Sequence, residues 1–146
     1  MKNLKLFLII SILVTGCTNK NDFDYIVSSQ WEKCIEDKNC IVDFSNIMSF
    51  EWDTMCYYSG ANSLEDINKD LGFELKEFTD IGDRVLFIKD SKVVYQKEWF
   101  PNPSEPTEGT IFVTEQNKFR VNKSNAKFRI NKKDKSFYLV YCPEIS

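Results

Sequence analysis

Histidine is absent from this chain of 146 residues, and glycine is scarce, with five in total. Histidine is the commonest general base and the usual partner of an activated nucleophile, so its absence removes most arrangements of catalytic side chains. The few glycines form neither a phosphate-binding loop nor a GxSxG motif. A CxxC pair is also missing, which together with the lack of histidine disfavours a zinc site. We therefore expect a protein that is not an enzyme and that needs no metal or other cofactor.

Carboxylates are the remaining candidates for acid–base chemistry. Glu51 and Asp53 are two residues apart, so on a strand they would point to the same side, like the paired carboxyl groups of glycosidases. The chain contains 22 acidic residues, however, and a solvated pair is the commoner outcome where no pocket encloses it. A catalytic pair is therefore the weaker alternative.

The N-terminus has the order of charged, apolar and small residues that is typical of an export signal. Lys2 and Lys5 precede an apolar run from Leu6 to Val14, which is too short to span a bilayer as a finished helix. Residues 13–17 read Leu-Val-Thr-Gly-Cys and resemble the lipobox of bacterial lipoproteins. The resemblance implies a signal peptide over residues 1–16 and acylation, including palmitate, at Cys17. A plain secretory signal and an uncleaved anchor are the alternatives.

Residues 17–22 would then be a short polar tether that holds the protein to the membrane through its N-terminal lipid. Thr18 replaces the aspartate that keeps lipoproteins at the inner membrane, so the resemblance implies the outer membrane, with the protein facing the periplasm. The remaining residues, 23–146, suit a single globular domain. The 12 Phe, 6 Tyr and 3 Trp residues of the chain predict an aromatic core.

Four cysteines remain after Cys17: Cys34, Cys40, Cys56 and Cys142. In an oxidising compartment an even number predicts two disulfides, and four cysteines allow three pairings. Cys34 and Cys40 are close enough in the sequence to close a small loop, which would leave Cys56 to pair with Cys142. A loop of that length contributes roughly 4 kcal/mol by its closure entropy. Free thiols or a bound metal are the alternatives.

The pattern of apolar residues predicts two helices and a series of strands. One helix covers residues 24–37, and the other begins at Ser63 and ends before Gly72. Asp90 and Ser91 separate two β-rich runs and predict a hairpin. We expect an α+β fold with one antiparallel sheet of five to seven strands, covered on its apolar face by the two helices. The predicted extended segments are residues 41–44, 50–58, 84–89, 92–97, 110–114, 118–121, 126–130 and 136–142.

The segment between Trp99 and Gly109 holds three of the four prolines and predicts a stiff, protruding loop. Trp99 and Phe100 at its base and Glu105 within it are candidate contacts for a partner. In the alternative interpretation the two aromatic residues close the end of the core, and the prolines only prevent pairing with other chains.

A basic segment is the second candidate binding site. Residues 118–146 carry eight basic and two acidic side chains, whereas residues 17–117 carry nine basic and twenty acidic side chains. Lys118, Arg120, Lys127 and Arg129 alternate with apolar residues, which predicts that they share one face of a hairpin. Such a face would attract lipid phosphates or an acidic protein. Nucleic acid is not expected as a partner, because the whole chain is acidic and exported. A solvated outer face is the alternative.

Residues 44–130 resemble a group of uncharacterised bacterial lipoproteins. The resemblance rests on the Trp52-Asp53 pair followed by apolar and aromatic residues, on the helix end Leu71-Gly72, and on the hairpin over residues 85–94. It implies the α+β fold and the envelope address, and it names no reaction. We expect Trp52 to lie in the core and Asp53 to anchor a turn.

Two non-catalytic functions follow from these features. The first is a tethered envelope lipoprotein that binds a protein or a glycan. The second is an immunity or inhibitor lipoprotein that neutralises a toxin or another enzyme, for which a small acidic domain with a rigid loop suffices.

Labelling of growing cells with palmitate tests the anchor. The wild-type chain should incorporate the label, whereas Cys17→Ser should not, because it lacks the thiol to which the lipid attaches. Cys142→Ser is the matched control and should incorporate as much label as the wild type. Label that persists in Cys17→Ser would contradict the lipobox interpretation.

Overall fold

The computed structural model describes residues 21–34, 39–100 and 108–142. Within them, the chain forms three α-helices, α1 to α3, eight strands, β1 to β8, and a short 3-10 helix. The helices are α1 (Phe23–Lys33), α2 (Phe44–Ile47) and α3 (Leu64–Leu71), and the 3-10 helix is Lys123–Asn125. The strands are β1 (Ile41–Asp43), β2 (Thr54–Tyr58), β3 (Asp83–Lys89), β4 (Lys92–Trp99), β5 (Gly109–Val113), β6 (Lys118–Asn122), β7 (Lys127–Lys133) and β8 (Ser136–Tyr141).

The strands form two sheets of four, so the predicted single sheet with two helices is wrong. The first sheet has the order β1-β7-β8-β5, and the second has the order β4-β3-β2-β6. All neighbours are antiparallel except β5 and β8, which run parallel. The sequence missed this division because β6 and β7, which follow each other closely, enter different sheets. The structure also contains α2, a third helix, where extended chain was expected at Phe44.

The inner faces of the two sheets enclose an aromatic core. Phe87 of the second sheet and Phe112 and Phe128 of the first are buried there. Phe23 of α1 and Phe44 of α2 fill the space between the sheets, with their ring centroids 5.1 Å apart. Aromatic pairs of this kind add about 0.5–1.5 kcal/mol each beyond their buried area. The abundance of aromatic residues therefore does form the core, as predicted, but between two sheets.

A second apolar layer lies on the outer face of the second sheet. Ile67 and Leu71 of α3 pack there against Cys56, Leu86 and neighbouring side chains. The predicted boundaries of α3 are confirmed, whereas α1 ends at Lys33 and not at the predicted residue 37. Ser63 caps the N-terminus, since its side chain accepts a hydrogen bond from the Asp66 N–H, and Gly72 ends the helix in the left-handed conformation that glycine favours.

The predicted hairpin is confirmed as β3 and β4. Asp90 and Ser91 both have positive φ, 47° and 58°, as a two-residue turn between twisted strands requires. Asp53 anchors this turn, because its carboxylate accepts hydrogen bonds from Lys89 Nζ at 2.9 Å and from the Asp90 N–H at 3.3 Å. Trp52 is buried, with its ring 4.9 Å from that of Phe87. Both roles agree with the expectations from the sequence.

The disulfide between Cys34 and Cys40 is confirmed, and it links the end of α1 to the start of β1. The second predicted pair is wrong: Cys56 and Cys142 are thiols. Cys56 lies on the outer face of the second sheet beneath α3, whereas Cys142 follows β8 in the first sheet, so the core separates them.

Burial raises the pKa of the Cys56 thiol, although Arg120 acts to lower this pKa. The raised pKa makes Cys56 a poor nucleophile.

Alkylation without reductant should distinguish these thiols. Under native conditions we expect modification of the half-buried Cys142, and of Cys56 only after unfolding, because its side chain is enclosed and its pKa is raised. Mass spectrometry of peptides gives the site of each adduct. Cys142→Ser should lack the rapid adduct and keep the slow one. If neither thiol reacts in the unfolded, unreduced chain, the two cysteines are bridged after all.

Candidate binding site at the open end of the hairpin

The first turn of α1 is fixed to β4 by Asp22. The Asp22 carboxylate caps the helix, since it accepts a hydrogen bond from the Asp24 N–H at 3.0 Å. The same carboxylate accepts a hydrogen bond from Lys97 Nζ at 2.6 Å. One residue further on, the Phe23 N–H donates to the Tyr95 hydroxyl at 2.9 Å. The start of the domain is thereby tied to β4, an edge strand of the second sheet.

Asp24 joins the two strands that flank the proline-rich segment. Its carboxylate accepts a hydrogen bond from Trp99 Nε1 at 3.0 Å, at the end of β4, and one from the Thr110 N–H at 2.8 Å, at the start of β5. Gly109 makes this approach possible: a Cβ there would lie 3.0 Å from Asp24 Oδ1, and its φ of +100° disfavours other residues. Asp24 therefore sets the distance between the two ends of the segment.

Asp22 and Lys97 stabilise each other's charged form. Partial burial of the Asp22 carboxyl acts to raise its pKa, but the hydrogen bond and the positive charge of Lys97 outweigh this, so the pKa is lowered overall. Burial likewise acts to lower the pKa of Lys97, and the carboxylates of Asp22 and Asp24 raise it. Asp22 and Lys97 are therefore both charged at neutral pH, and their ion pair stays intact there.

Trp99 and Phe100, which were both predicted as candidate contacts for a partner, have different environments. The Trp99 ring packs edge-on against Phe23 and Phe112, at centroid distances of 5.7 and 6.2 Å, and its N–H is bound by Asp24. The structure thus places Trp99 at the rim of the core, as in the alternative interpretation. Phe100 remains 53% exposed. Its ring lies over Gly82, where a Cβ would come within 3.0 Å of it. Glu105 lies outside the described residues.

Ile81 is a second exposed apolar residue, and it directly precedes Gly82, over which the Phe100 ring lies. Ile81 is 65% exposed and has a φ of +64°, a conformation that a β-branched residue rarely adopts. We call Ile81, Gly82 and Phe100 the hairpin-end patch. The sequence carried no signal for it, because strain at Ile81 depends on how distant segments meet. Gly60 is one of these: a Cβ there would lie 2.5 Å from the Ile81 carbonyl oxygen.

Buried hydrogen bonds fix the loop that presents Ile81. Arg84 is fully buried, and its guanidinium donates to the carbonyl oxygens of Thr79 at 2.7 Å and Gly82 at 2.8 Å. The guanidinium also lies 4.1 Å from the centre of the Phe78 ring and 3.6 Å from a carboxylate oxygen of Glu98. Burial lowers the pKa of Arg84, while nearby carboxylates, Glu98 first, act against this. The patch thus rests on a rigid base.

The four basic residues do not form one surface, so that prediction is wrong. Lys118 and Arg120 are on β6, on the α3 side of the second sheet, where Lys118 Nζ lies 2.8 Å from a carboxylate oxygen of Asp70. Lys127 and Arg129 are on β7, on the outer face of the first sheet. Basic and apolar residues do alternate along both strands, as predicted. However, β6 and β7 face each other across the core and do not pair side by side.

Metal-binding side chains do not cluster in the described residues. Within residues 21–34, 39–100 and 108–142, no three histidine, cysteine or carboxylate side chains are placed to hold a metal ion. Over the same ranges, no helix has both the length and the apolar character to cross a membrane. Glu51 and Asp53 each pair with a different lysine, Lys123 and Lys89 respectively.

A shallow groove of about 450 Å³ runs along β4. The segment that follows α3 forms its other wall, with Phe73 and Leu75 opposite Val93 and Tyr95. Gln96 bridges the two walls, since its Nε2 donates to the Glu77 carbonyl oxygen at 3.0 Å. The groove is open and lies on the same hairpin as the hairpin-end patch.

Comparison of the chain with family models, with curated proteins and with solved structures finds no match in any of the three. The lipoprotein resemblance therefore gains no support from them and stays an expectation. The function has to be inferred from the geometry and chemistry of the residues themselves.

Removal of the Asp24 carboxylate tests the link between α1, β4 and β5. Asp24→Ala leaves the Trp99 and Thr110 N–H groups without their acceptor, so we expect a loss of about 2 kcal/mol or more in the free energy of unfolding. Glu32→Ala is the matched control, because it removes an exposed carboxylate from the same helix, and it should change stability by less than about 0.5 kcal/mol. Chemical denaturation measures both. Equal stability of the two variants would show that the network contributes little.

Proposed function

We propose that this protein is a lipid-anchored, non-catalytic envelope protein that acts by binding another protein through the hairpin-end patch. The observation that carries the proposal is the exposure of Ile81 and Phe100, two large apolar side chains, on a backbone held by buried hydrogen bonds. Exposed apolar side chains that cluster on a rigid base are typical of interaction sites. The strain at Ile81 adds support, since unfavourable backbone conformations persist mainly where function retains them.

The surroundings of the patch favour a protein over a small molecule. Phe100 and Ile81 are each more than half exposed, whereas small ligands are bound in concave pockets that bury most of their area. Rigid residues lose little conformational entropy on binding. A rigid patch therefore contributes more to affinity than a flexible patch of equal size. The predicted anchor supports the same proposal, because a tether keeps a binding domain at the envelope and raises its local concentration there.

Site-specific photocrosslinking in intact cells tests the proposal. With a benzophenone amino acid at position 100 we expect a protein adduct, because this side chain would lie at the centre of the contact. The same group at position 94 is the matched control. Val94 is 42% exposed on the same hairpin and lines the groove, so it should give no adduct. An adduct from position 94 alone would place the contact in the groove and contradict the proposal.

A second variant separates binding from folding. Ile81→Asn removes the apolar side chain but suits a positive φ, so stability should be kept or raised. The adduct from position 100 should nevertheless fall severalfold. If the adduct is unchanged in this stable variant, Ile81 takes no part. If the captured protein is an enzyme or toxin that loses activity when bound, the protein is an inhibitor rather than a general envelope adaptor.

A further inference from the structure

The outer face of the first sheet carries apolar residues that belong to neither core. Strand alternation points Phe112, Phe128 and Leu139 inward and their neighbours outward. The outward residues lie in two rows across the strands. One row joins Ile41, Arg129, Val140 and Val113, and the other joins Asn131, Tyr138 and Ile111. Ile41, Ile111, Val113, Tyr138 and Val140 are absent from both packed clusters of the described residues.

The two sheets differ in what covers their outer faces. On the second sheet, α3 and the segment after it bury Leu86, Ile88 and their neighbours. On the first sheet, no helix of the described ranges buries the outward rows, and Val113 is 49% exposed. We call this surface the outer β5–β8 face. An apolar surface on one side of a sandwich is costly in water, so a partner that covers it is expected.

Charge on this face selects the kind of partner. Lys127, Arg129 and Lys133 lie on the outward side of β7, with Asn131 between Arg129 and Lys133, beside the apolar residues of β8 and β5. At one end of the face Asp43 lies opposite Lys127, and at the other end Asp134 follows Lys133 and Glu108 pairs with Lys135. The Asp43 carboxylate already accepts hydrogen bonds from the Ser45 N–H at 2.9 Å and the Ser45 hydroxyl at 2.6 Å. The face is therefore aliphatic and aromatic along one side and basic along the other, a composition that fits a lipid interface with anionic headgroups.

The predicted tether places this face near a membrane. Residues 17–22 span at most roughly 20 Å when fully extended. Two residues further, Asp24 is hydrogen-bonded to Thr110, which directly precedes Ile111 on β5. The edge of the outer β5–β8 face is thus close to the point at which the tether enters the domain. A tether of this length keeps the domain at the bilayer surface, where a weak surface affinity is enough to orient it.

We infer that the outer β5–β8 face docks on anionic lipid headgroups, with Val113 and Tyr138 at the apolar boundary and Arg129 and Lys133 on the phosphates. The inference rests on the lipid anchor of the proposed function. It leaves the hairpin-end patch, at the strand ends of the second sheet, exposed to the aqueous side for its protein partner.

Hydroxyl-radical footprinting of the acylated protein in vesicles tests the docking. We compare vesicles of phosphatidylglycerol with vesicles of phosphatidylcholine and measure oxidation of Tyr138 and Val113 by mass spectrometry. Docking should reduce oxidation of both residues at least about threefold on the anionic vesicles, because each basic residue near an anionic surface strengthens binding roughly fivefold. Val94, exposed on the other sheet, should be oxidised equally on both and serves as the internal reference.

Charge reversal supplies the matched variants. Arg129→Glu with Lys133→Glu should abolish the protection of Tyr138. Lys69→Glu with Lys76→Glu is the control, since these exposed lysines lie in α3 and the segment after it, on the opposite side, and protection should remain. Melting temperatures equal to that of the wild type in both double variants exclude a folding defect.

Four results would overturn the inference. Acylated protein that floats with both kinds of vesicle but shows equal oxidation of Tyr138 on both refutes the docking and leaves the anchor intact. Protection that persists in the Arg129→Glu, Lys133→Glu variant shows that these two residues do not hold the face on lipid phosphates. Protection that is seen in cells but on neither vesicle means that a protein covers the face. A chain that floats with neither vesicle lacks the anchor, which refutes the proposed anchor as well.

Discussion

The packing of the Phe23 ring between the two sheets is the constraint on which the rest of the structure depends. Phe23 is fully buried, and its ring contacts Phe44, Phe87 and Phe112, as well as Trp99, at centroid distances between 5.1 and 6.1 Å. These partners come from both sheets and from α2. A single residue of α1 thus holds elements together that are far apart in the sequence, and such non-local packing is what fixes the distance between the sheets.

The polar groups on either side of Phe23 complete this arrangement. The burial of the Phe23 ring holds the start of α1 between the two sheets. In this position Asp22 accepts a hydrogen bond from Lys97 of β4, and Asp24 accepts one from Thr110 of β5. Trp99 then occupies the rim of the core. The chain leaves the core at this residue, and Phe100, which follows it, lies on the surface. The packing of the core therefore holds Phe100 at the surface. An exposed side chain in such a fixed position is suited to the protein contact proposed above.

Features that depend on neighbouring residues could be predicted from the sequence. The caps of α3 at Ser63 and Gly72 and the turn at Asp90 and Ser91 were read correctly, because each follows from a few consecutive side chains. The division into two sheets could not be read in this way. Alternation in β6 and β7 is the same whether the strands pair side by side or face each other across a core, and the parallel pairing of β5 with β8 depends on strands that are inserted between them in the sequence.

The candidate site was predicted in part, for the same reason. Phe100 stood out because aromatic residues beside prolines are typical of exposed loops, whereas Ile81 becomes visible only when Gly60 and Arg84 fix its backbone. The basic residues were found, but their distribution over two sheets gives them different surroundings: Lys118 pairs with Asp70, and Arg129 lies among apolar side chains on the outer β5–β8 face.

The two proposed surfaces do not compete for space. One lies at the strand ends of the second sheet and the other on the flat side of the first, with the aromatic core between them. A domain held flat on a membrane by the outer β5–β8 face would present its strand ends along the surface, where another envelope protein can be reached without releasing the lipid contact. The rigidity that Phe23 gives to the sandwich makes this useful, because it fixes the angle between the two surfaces and hence the orientation in which a partner is met.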